Sequence, residues 1–432
     1  MPTVAFHTLG CKVNQYESAA MASLFAGHGY QVVDPGTAAD VCVINTCTVT
    51  GTADQKSRQA IRRAVRQNPN AIVVVTGCYA QLAPTRIADI PGVDLVIGTT
   101  GRKEIVKLVE EAKTTGGRII RVQDYTGDCA FEEIPALFSA RTRAYLKVQE
   151  GCRDFCTYCL VPYARGPLRS RLPDAVLQEA ERLLATGFKE LVLTGINIGN
   201  YGIDLKPPVG LHRLIQLILQ LPGVARLRLS SIEPGEVVSS LGDLMANEPR
   251  FCPHLHVPLQ SGDDTVLKLM GRKYRTADYR ALISRLRERM PDVSVTTDVM
   301  VGFPGETDAA FANTASFIRE TGFSGLHVFK FSPRPGTPAA AFPDRVHGKE
   351  KERRLRLLLQ QSRNLTEAFA ARFVGRMVHV LVERMNNEGF YEGFSEHYLP
   401  VVFKKPGGVT GSVIPVKITA FDKGALTGVH QI

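Results

Sequence analysis

The strongest constraint on this chain lies at Gly151-Cys152-Arg153-Asp154-Phe155-Cys156-Thr157-Tyr158-Cys159. Three cysteines at C-x3-C-x2-C spacing, with an aromatic just before the last, can place three thiolates around one face of a cubane iron–sulfur cluster. Such a cluster takes four ligands, so three thiolates leave one iron open. An open iron is a chemical site, whereas a fully ligated cluster only passes electrons. Structural zinc sites show paired C-x2-C knuckles with a fourth Cys or His close by, and none stands near 152–159.

Around this loop the chain reads as α/β. From Ala144 onward six strand–helix units follow one another, with strands expected at 144–149, 190–195, 226–231, 254–259, 294–301 and 325–331 and helices between them, such as 174–186 and 276–289. With the cysteine loop directly after the first strand, this pattern suits a partial (βα)6 TIM-like barrel, whose strand C-terminal ends carry the chemistry. Polar residues at those ends include Thr194, Gly195 and Asn197, Ser230 to Glu233, Gln260 to Gly262, and Asp298 to Glu306.

Residues 1–114 alternate short β-branched runs with helical stretches, which argues for a parallel sheet with right-handed crossovers. Three runs, ending at Thr8, Ile44 and Val75, lead into Cys11, Cys47 and Cys78. Strand C-terminal ends of an open parallel sheet share one edge, so three cysteines far apart in sequence meet at one rim. Cys42, Cys129 and Cys252 read as structural. A helix near 52–67 carries Arg58, Arg62 and Arg66 at four-residue spacing with Arg63 beside them, a cationic stripe suited to phosphate. Residues 115–141 read as a linker, 142–345 as the barrel and 346–374 as a connecting helix. Residues 375–432 read as a small β-barrel with strands near 378–382, 399–403 and 412–418. There Phe390, Tyr391, Phe394 and Tyr398, followed by Lys404 and Lys405, suit base stacking and backbone contact.

At 432 residues, with 44% hydrophobic and 22% charged residues, the chain has the composition of a soluble globular protein of about two to three domains. No apolar run is long enough to span a bilayer, and the start lacks the layout of a signal peptide. A cytoplasmic protein without a membrane partner is expected. Nine cysteines, an odd number, suit cluster ligation in a reducing compartment better than disulfides. A net charge of +10 favours a polyanionic partner such as nucleic acid.

Taken together, Thr8-Leu9-Gly10-Cys11-Lys12-Val13-Asn14, Asn45-Thr46-Cys47-Thr48, Thr76-Gly77-Cys78-Tyr79 and the Cys152/Cys156/Cys159 loop resemble the radical S-adenosylmethionine (SAM) methylthiotransferases. The resemblance runs over the whole chain, with an N-terminal cluster domain, a radical-SAM barrel and a C-terminal barrel similar to the TRAM RNA-binding domain. Phe6 to Asn14 and Arg165-Gly166-Pro167-Leu168-Arg169-Ser170-Arg171 look most like the branch acting on N6-threonylcarbamoyladenosine beside the tRNA anticodon. Tyr163 departs from the Trp found in many members of that branch.

The resemblance implies two [4Fe–4S] clusters, on Cys11, Cys47 and Cys78 and on Cys152, Cys156 and Cys159. It implies SAM as both methyl donor and source of a 5′-deoxyadenosyl radical that abstracts hydrogen from purine C2. It also implies an electron donor such as flavodoxin or ferredoxin, a sulfur donor and the tRNA anticodon stem-loop as partners. By fold position Thr194, Gly195 and Asn197 would meet the methionine amine of SAM, and Glu233 and Gln260 its ribose. Val299 to Gly302 and Tyr158 would meet the adenine. Arg165, Arg169 and Arg171 are candidates for phosphate or the SAM carboxylate. The competing readings are action on isopentenyladenosine tRNA or on a ribosomal protein, an iron–sulfur electron carrier or redox sensor, and an RNA-binding protein with structural zinc.

Overall fold

The computed structural model describes residues 1–125, 130–134, 136, 142–404 and 407–430. Cys129 and Lys405 lie outside them.

The first sheet has six strands: β1 (Thr3–Thr8), β2 (Gln31–Val33), β3 (Val41–Thr46), β4 (Ile72–Gly77), β5 (Leu95–Ile97) and β6 (Ile119–Arg121). All pair in parallel, in the order β2-β1-β3-β4-β5-β6. The sequence pattern marked only β1, β3 and β4, because the other three have three residues each and too little periodicity to read. One of them, β6, falls inside the segment read as linker. β3 is buried at every position, as a strand covered on both faces requires.

Strand order reverses between β1 and β3, and the crevice at such a switch point is where open α/β sheets bind ligands. Cys11 follows β1 and Cys47 follows β3, so they flank that crevice, and Cys78 opens the short helix Cys78–Leu82 after β4.

The second unit contains β7 (Arg143–Lys147), the two-residue strands β8 (Gln149–Glu150) and β9 (Arg169–Ser170), β10 (Glu190–Thr194), β11 (Arg226–Leu229), β12 (His254–His256), β13 (Ser294–Val301) and β14 (Gly325–Lys330). β8 and β9 pair antiparallel beside the cysteine loop. The other six form two parallel three-stranded sheets, β7-β10-β11 and β12-β13-β14. Parallel bridges Leu227–Phe251 and Ser231–His256 join them. The result is an open barrel with strands in chain order. Its core of Leu146, Leu191, Leu193, Leu227, Leu229, Val257 and their neighbours lies between strands and the outer helices.

The helix Gly348–Ala371 lies along β14, with Ser362 Oγ accepting from Leu326 N at 3.0 Å and Thr366 Oγ donating to Ser324 O at 3.0 Å. It leads to a closed five-stranded barrel, β15 (Met377–Met385), β16 (Tyr391–Ser395), β17 (Pro400–Lys404), β18 (Val413–Asp422) and β19 (Ala425–His430), in the order β15-β16-β17-β19-β18. Among the described residues no helix is long and apolar enough to cross a membrane.

Candidate active site

The rim of the first sheet is built around Cys11, Cys47 and Cys78. Gly10 has φ +98°, and a Cβ there would lie 2.8 Å from Cys47 Cβ and 3.0 Å from its Sγ. Only glycine leaves the space that a group held by these sulfurs needs. Asn14 Nδ2 donates to Leu9 O at 2.7 Å and Thr46 O at 3.0 Å, tying the ends of β1 and β3 together. Ser57 Oγ donates to Cys47 O at 3.0 Å. Arg165 Nε donates to Cys78 Sγ at 3.1 Å. Burial pushes the Cys78 thiol up to about 12 and the Cys47 thiol upward as well. A metal must therefore displace protons to bind here.

The second set sits on the loop after β8. Arg272 Nη1 donates to Cys156 Sγ at 3.4 Å, Asn197 Nδ2 to Cys152 Sγ at 3.7 Å, and the Val161 backbone N–H to Cys159 Sγ at 3.4 Å. Thr157 N donates to Met270 O at 3.0 Å and Ala339 N to Thr157 O at 2.9 Å, so the loop is held from two sides. Burial raises Cys152 to about 11 and Cys159 to about 12. Three thiols per set, each set with a fixed hydrogen-bonding neighbour, fit an iron–sulfur cluster with an open iron.

Beside this loop a pocket of about 220 Å³ is lined by Asp154, Cys156, Glu233, Glu236, Arg272 and Tyr274, among others. Glu233 pairs with Arg272 there. Burial, then the Glu233 carboxylate, raises Glu236 to about 7. Asn197 Oδ1 and Gln260 Oε1 are buried without a hydrogen-bond partner, which suits a polar ligand such as SAM. Gln260 has φ +65° and bridges Val299. Gly302 N–H is taken up by Glu306 Oε2 at 2.6 Å. Gly195 packs closely on Gln149, and Tyr158 meets the Phe303 ring edge-on at 6.3 Å.

A larger cavity, about 710 Å³, fills the barrel interior. Thr194, Gly195, Ser230, His254, His256, Asp298 and His327 line it, Gly10 to Val13 close it from the first sheet, and Tyr398 to Pro400 from the C-terminal barrel. Asp298 lies between His256 and His327, at 3.2 and 3.3 Å.

Two expectations are corrected. Arg165, Arg169 and Arg171 are not open to phosphate or a SAM carboxylate. Arg165 is fully buried and bonds Glu17 at 2.5 Å and Glu150 at 2.7 Å, Arg171 pairs with Glu133 and Glu179, and Arg169 bonds Arg165 O at 2.8 Å. Arg165 is consumed in joining the first sheet to the barrel and Arg171 in tying Glu133 to Glu179, while Arg169 is buried with its Nε unpartnered. The aromatic residues of the C-terminal barrel do not form a free stacking platform either. Tyr391 is in its core, while Phe394 and Tyr398 stack on each other at 5.0 Å and lie against Arg143. Only Phe390, under the Lys404 ammonium at 4.6 Å, keeps that surface pairing. On the helix Gly51–Gln67, Arg62, Arg63 and Arg66 are exposed, whereas Arg58 is half-buried and donates to Tyr79 Oη at 3.0 Å.

The sequence reading missed Asn14, Arg272 and the histidines His256 and His327 beside Asp298 as site residues, and it read Tyr398 as a base-stacking residue rather than part of the cavity wall. Arg272 and Tyr398 carry no local motif; only long-range packing brings them in. The position of Asn14 three residues after Cys11, at the start of a helix, was a usable signal.

A three-cysteine loop at the end of the first strand of an open six-stranded parallel barrel, facing a polar cavity, defines a radical SAM enzyme. The comparisons agree. The chain matches the family models described as "Uncharacterized protein family UPF0004" over residues 3–98 and "Radical SAM superfamily" over residues 146–318. It is 44% identical over 424 residues to the threonylcarbamoyladenosine tRNA methylthiotransferase MtaB of Bacillus subtilis (strain 168), covering 97% of this chain and 94% of that one. With the enzyme of that name from Thermotoga maritima it is 39% identical, over 92% and 91% of the two chains. With the tRNA-2-methylthio-N(6)-dimethylallyladenosine synthase of Pelotomaculum thermopropionicum it is 34% identical, over 97% and 96%. Among solved structures, the radical SAM methyltransferase TsrM of Kitasatospora setae shares the fold at TM-score 0.57 and 16% identity, over 78% of this chain and 77% of that one. The chain belongs to the radical-SAM tRNA methylthiotransferases, of the MtaB type. An iron–sulfur cluster and SAM are its cofactors and tRNA its substrate.

Proposed function

We propose that this enzyme inserts a methylthio group at C2 of N6-threonylcarbamoyladenosine next to the tRNA anticodon. The observation that supports this reading is the shared cavity, walled at once by Cys11 and Lys12 and by the barrel strand ends at Thr194 and Gly195, two residues from Asn197 on Cys152. Cys152, Cys156 and Cys159 would hold one [4Fe–4S] cluster and Cys11, Cys47 and Cys78 a second. When bound, these clusters and two molecules of SAM supply the radical and the methylthio group.

The protein's own contribution is placement. Arg272 and Asn197 orient the Cys156 and Cys152 sulfurs, and Asn197 is itself fixed by Asp154 at 2.8 Å. Asn197 Oδ1 and Gln260 Oε1, both buried without a partner, would meet SAM, with Thr194, Gly195, Glu233, Val299, Gly302 and Tyr158 as further contacts. The target base must be unstacked to enter the cavity. Arg62, Arg63 and Arg66 would hold backbone phosphates of the stem-loop, with Lys404 a further contact. A flavodoxin or ferredoxin would deliver the electron, and a separate donor would renew the sulfur.

The test is nucleoside mass spectrometry of tRNA from a strain lacking its own threonylcarbamoyladenosine methylthiotransferase, complemented with wild type, Cys47→Ala or Cys156→Ala. The 2-methylthio product should appear with wild type and vanish with both variants. A methylthio group on isopentenyladenosine instead would overturn the substrate assignment. No change in any tRNA nucleoside would turn attention to the ribosomal-protein reading.

A further inference from the structure

Besides its histidines, the barrel cavity has two charged side chains on its wall, Lys12 and Asp298. Asp298 is committed to His256 and His327. Lys12 is not: among the described residues its ammonium has neither an ion pair nor a hydrogen bond, and Nζ stands 6.0 Å from the Tyr398 ring centroid. Arg228 and Arg143 approach the same ring, at 4.8 and 5.2 Å. They, however, have carboxylates of their own, Glu190 at 3.1 Å and Glu383 at 2.5 Å. A cation in a half-closed site without an anion is unfavourable until a ligand supplies one. Two more groups on this wall, Ser230 Oγ and His254 Nδ1, are buried with no partner. Lys12 therefore stands on the cavity wall without an anion, and the same wall carries a buried hydroxyl and a buried imidazole nitrogen that have no partner.

We infer that Lys12 binds the carboxylate of the amino-acid substituent on the target base, and so decides which N6-modified adenosine is accepted. The inference rests on the substrate reading above. Lys12 adjoins Cys11 in the chain, about 3.8 Å away between Cα atoms. In adenine, C2 and the carbon bearing N6 flank the same ring nitrogen, so a base that presents C2 to the Cys11 set presents its N6 substituent on the same edge. Ser230 and His254 complete a site for the carboxylate or hydroxyl of a threonyl group. A purely hydrocarbon substituent would leave Lys12, Ser230 and His254 unsatisfied, which is discrimination by an unpaired buried group.

A backbone phosphate offers the same charge, so the test separates the two. Anticodon stem-loops carrying threonylcarbamoyladenosine, its carboxyl methyl ester or unmodified adenosine are titrated against the reconstituted holoenzyme by fluorescence anisotropy. Wild type should bind the acid about tenfold or more tighter than the ester, as a charge-assisted bond in a part-buried site does. Lys12→Gln should abolish that ratio while leaving ester affinity unchanged, and Lys12→Arg should keep part of it. Equal loss for acid and ester in Lys12→Gln would mean a phosphate contact and overturn the inference. Equal binding of acid and ester by wild type would overturn it without any variant, whether or not Lys12→Gln folds. If wild type still makes the methylthio product on threonylcarbamoyladenosine, the failure is of Lys12 alone. If it makes none, the substrate reading has failed as well.

Discussion

Removing the Glu17 carboxylate tests how the first sheet is fastened to the barrel. Glu17 lies on the helix Lys12–Gly27 and is 4% exposed. It accepts hydrogen bonds from Arg165 Nη1 at 2.5 Å and Lys147 Nζ at 2.8 Å, and forms an ion pair with Arg102 Nη1 at 2.6 Å. Lys147, Glu150 and Arg165 belong to the barrel unit, so the cluster crosses the junction. Burial pushes the Glu17 carboxyl up, but Arg102, Arg165 and Lys147 override it and hold it well below its usual range. Glu17→Gln keeps the shape and leaves three buried cations with Glu150 and, for Arg102, Glu132. Breaking a buried pair in this way costs about 3–5 kcal/mol. Glu150 gives a second measure: burial opposes its charge, yet Lys147 and Arg165 bring it from 4.5 to about 2. That difference is worth about 3 kcal/mol at about 1.36 kcal/mol per pKa unit.

Urea unfolding followed by circular dichroism under anaerobic conditions should therefore show Glu17→Gln destabilised by about 3–5 kcal/mol. Glu110→Gln, which breaks an exposed pair with Lys113, should lose only about 0–1 kcal/mol. The pH dependence has a fixed sign. A depressed carboxyl stabilises the fold above its unfolded pKa near 4.5, and that contribution is lost as pH falls through the folded value of about 2. Wild type should weaken steeply over that window and Glu17→Gln less so. A loss below about 1 kcal/mol in Glu17→Gln would refute the view that this cluster fastens the two units.

Three further outcomes are expected. Arg272→Gln removes a cationic donor from Cys156 and should lower the reduction potential of that cluster by about 60–130 mV, from about 1.5–3 kcal/mol per charged hydrogen bond; a redox titration read by electron paramagnetic resonance that shows no change would contradict it. Gly10→Ala forces a side chain to within 2.8 Å of Cys47 Cβ and should cut bound iron by roughly half, about four atoms per cluster, with the 152–159 cluster spectrum intact. Arg62→Gln with Arg66→Gln should reduce the slope of log affinity for tRNA against log salt by about 1.8, and an unaltered slope would remove this stripe from the RNA interface.

Much of this molecule was legible along the chain because its signals are local. The C-x3-C-x2-C loop, the strands leading to Cys11, Cys47 and Cys78, and the six strand–helix periods from 144 to 331 each declare themselves within a few residues. The α/β architecture followed from them. Short strands such as β5 and β6 did not, since three residues hold too little periodicity.

What the tertiary structure alone decided is how charges and aromatic rings are used. Arg165, Arg169 and Arg171 read as free cations in sequence, yet Glu17, Glu133, Glu150 and Glu179 arrive from distant elements to neutralise Arg165 and Arg171. Tyr398 reads as a surface aromatic of a small barrel, yet it reaches the cavity of another unit and meets Arg228 and Lys12. Lys12 is the reverse case, a motif residue whose lack of an anion shows only once its neighbours are in place. Coulomb interaction and burial depend on distance through space, and a linear pattern of residue types carries that distance only where secondary structure repeats it.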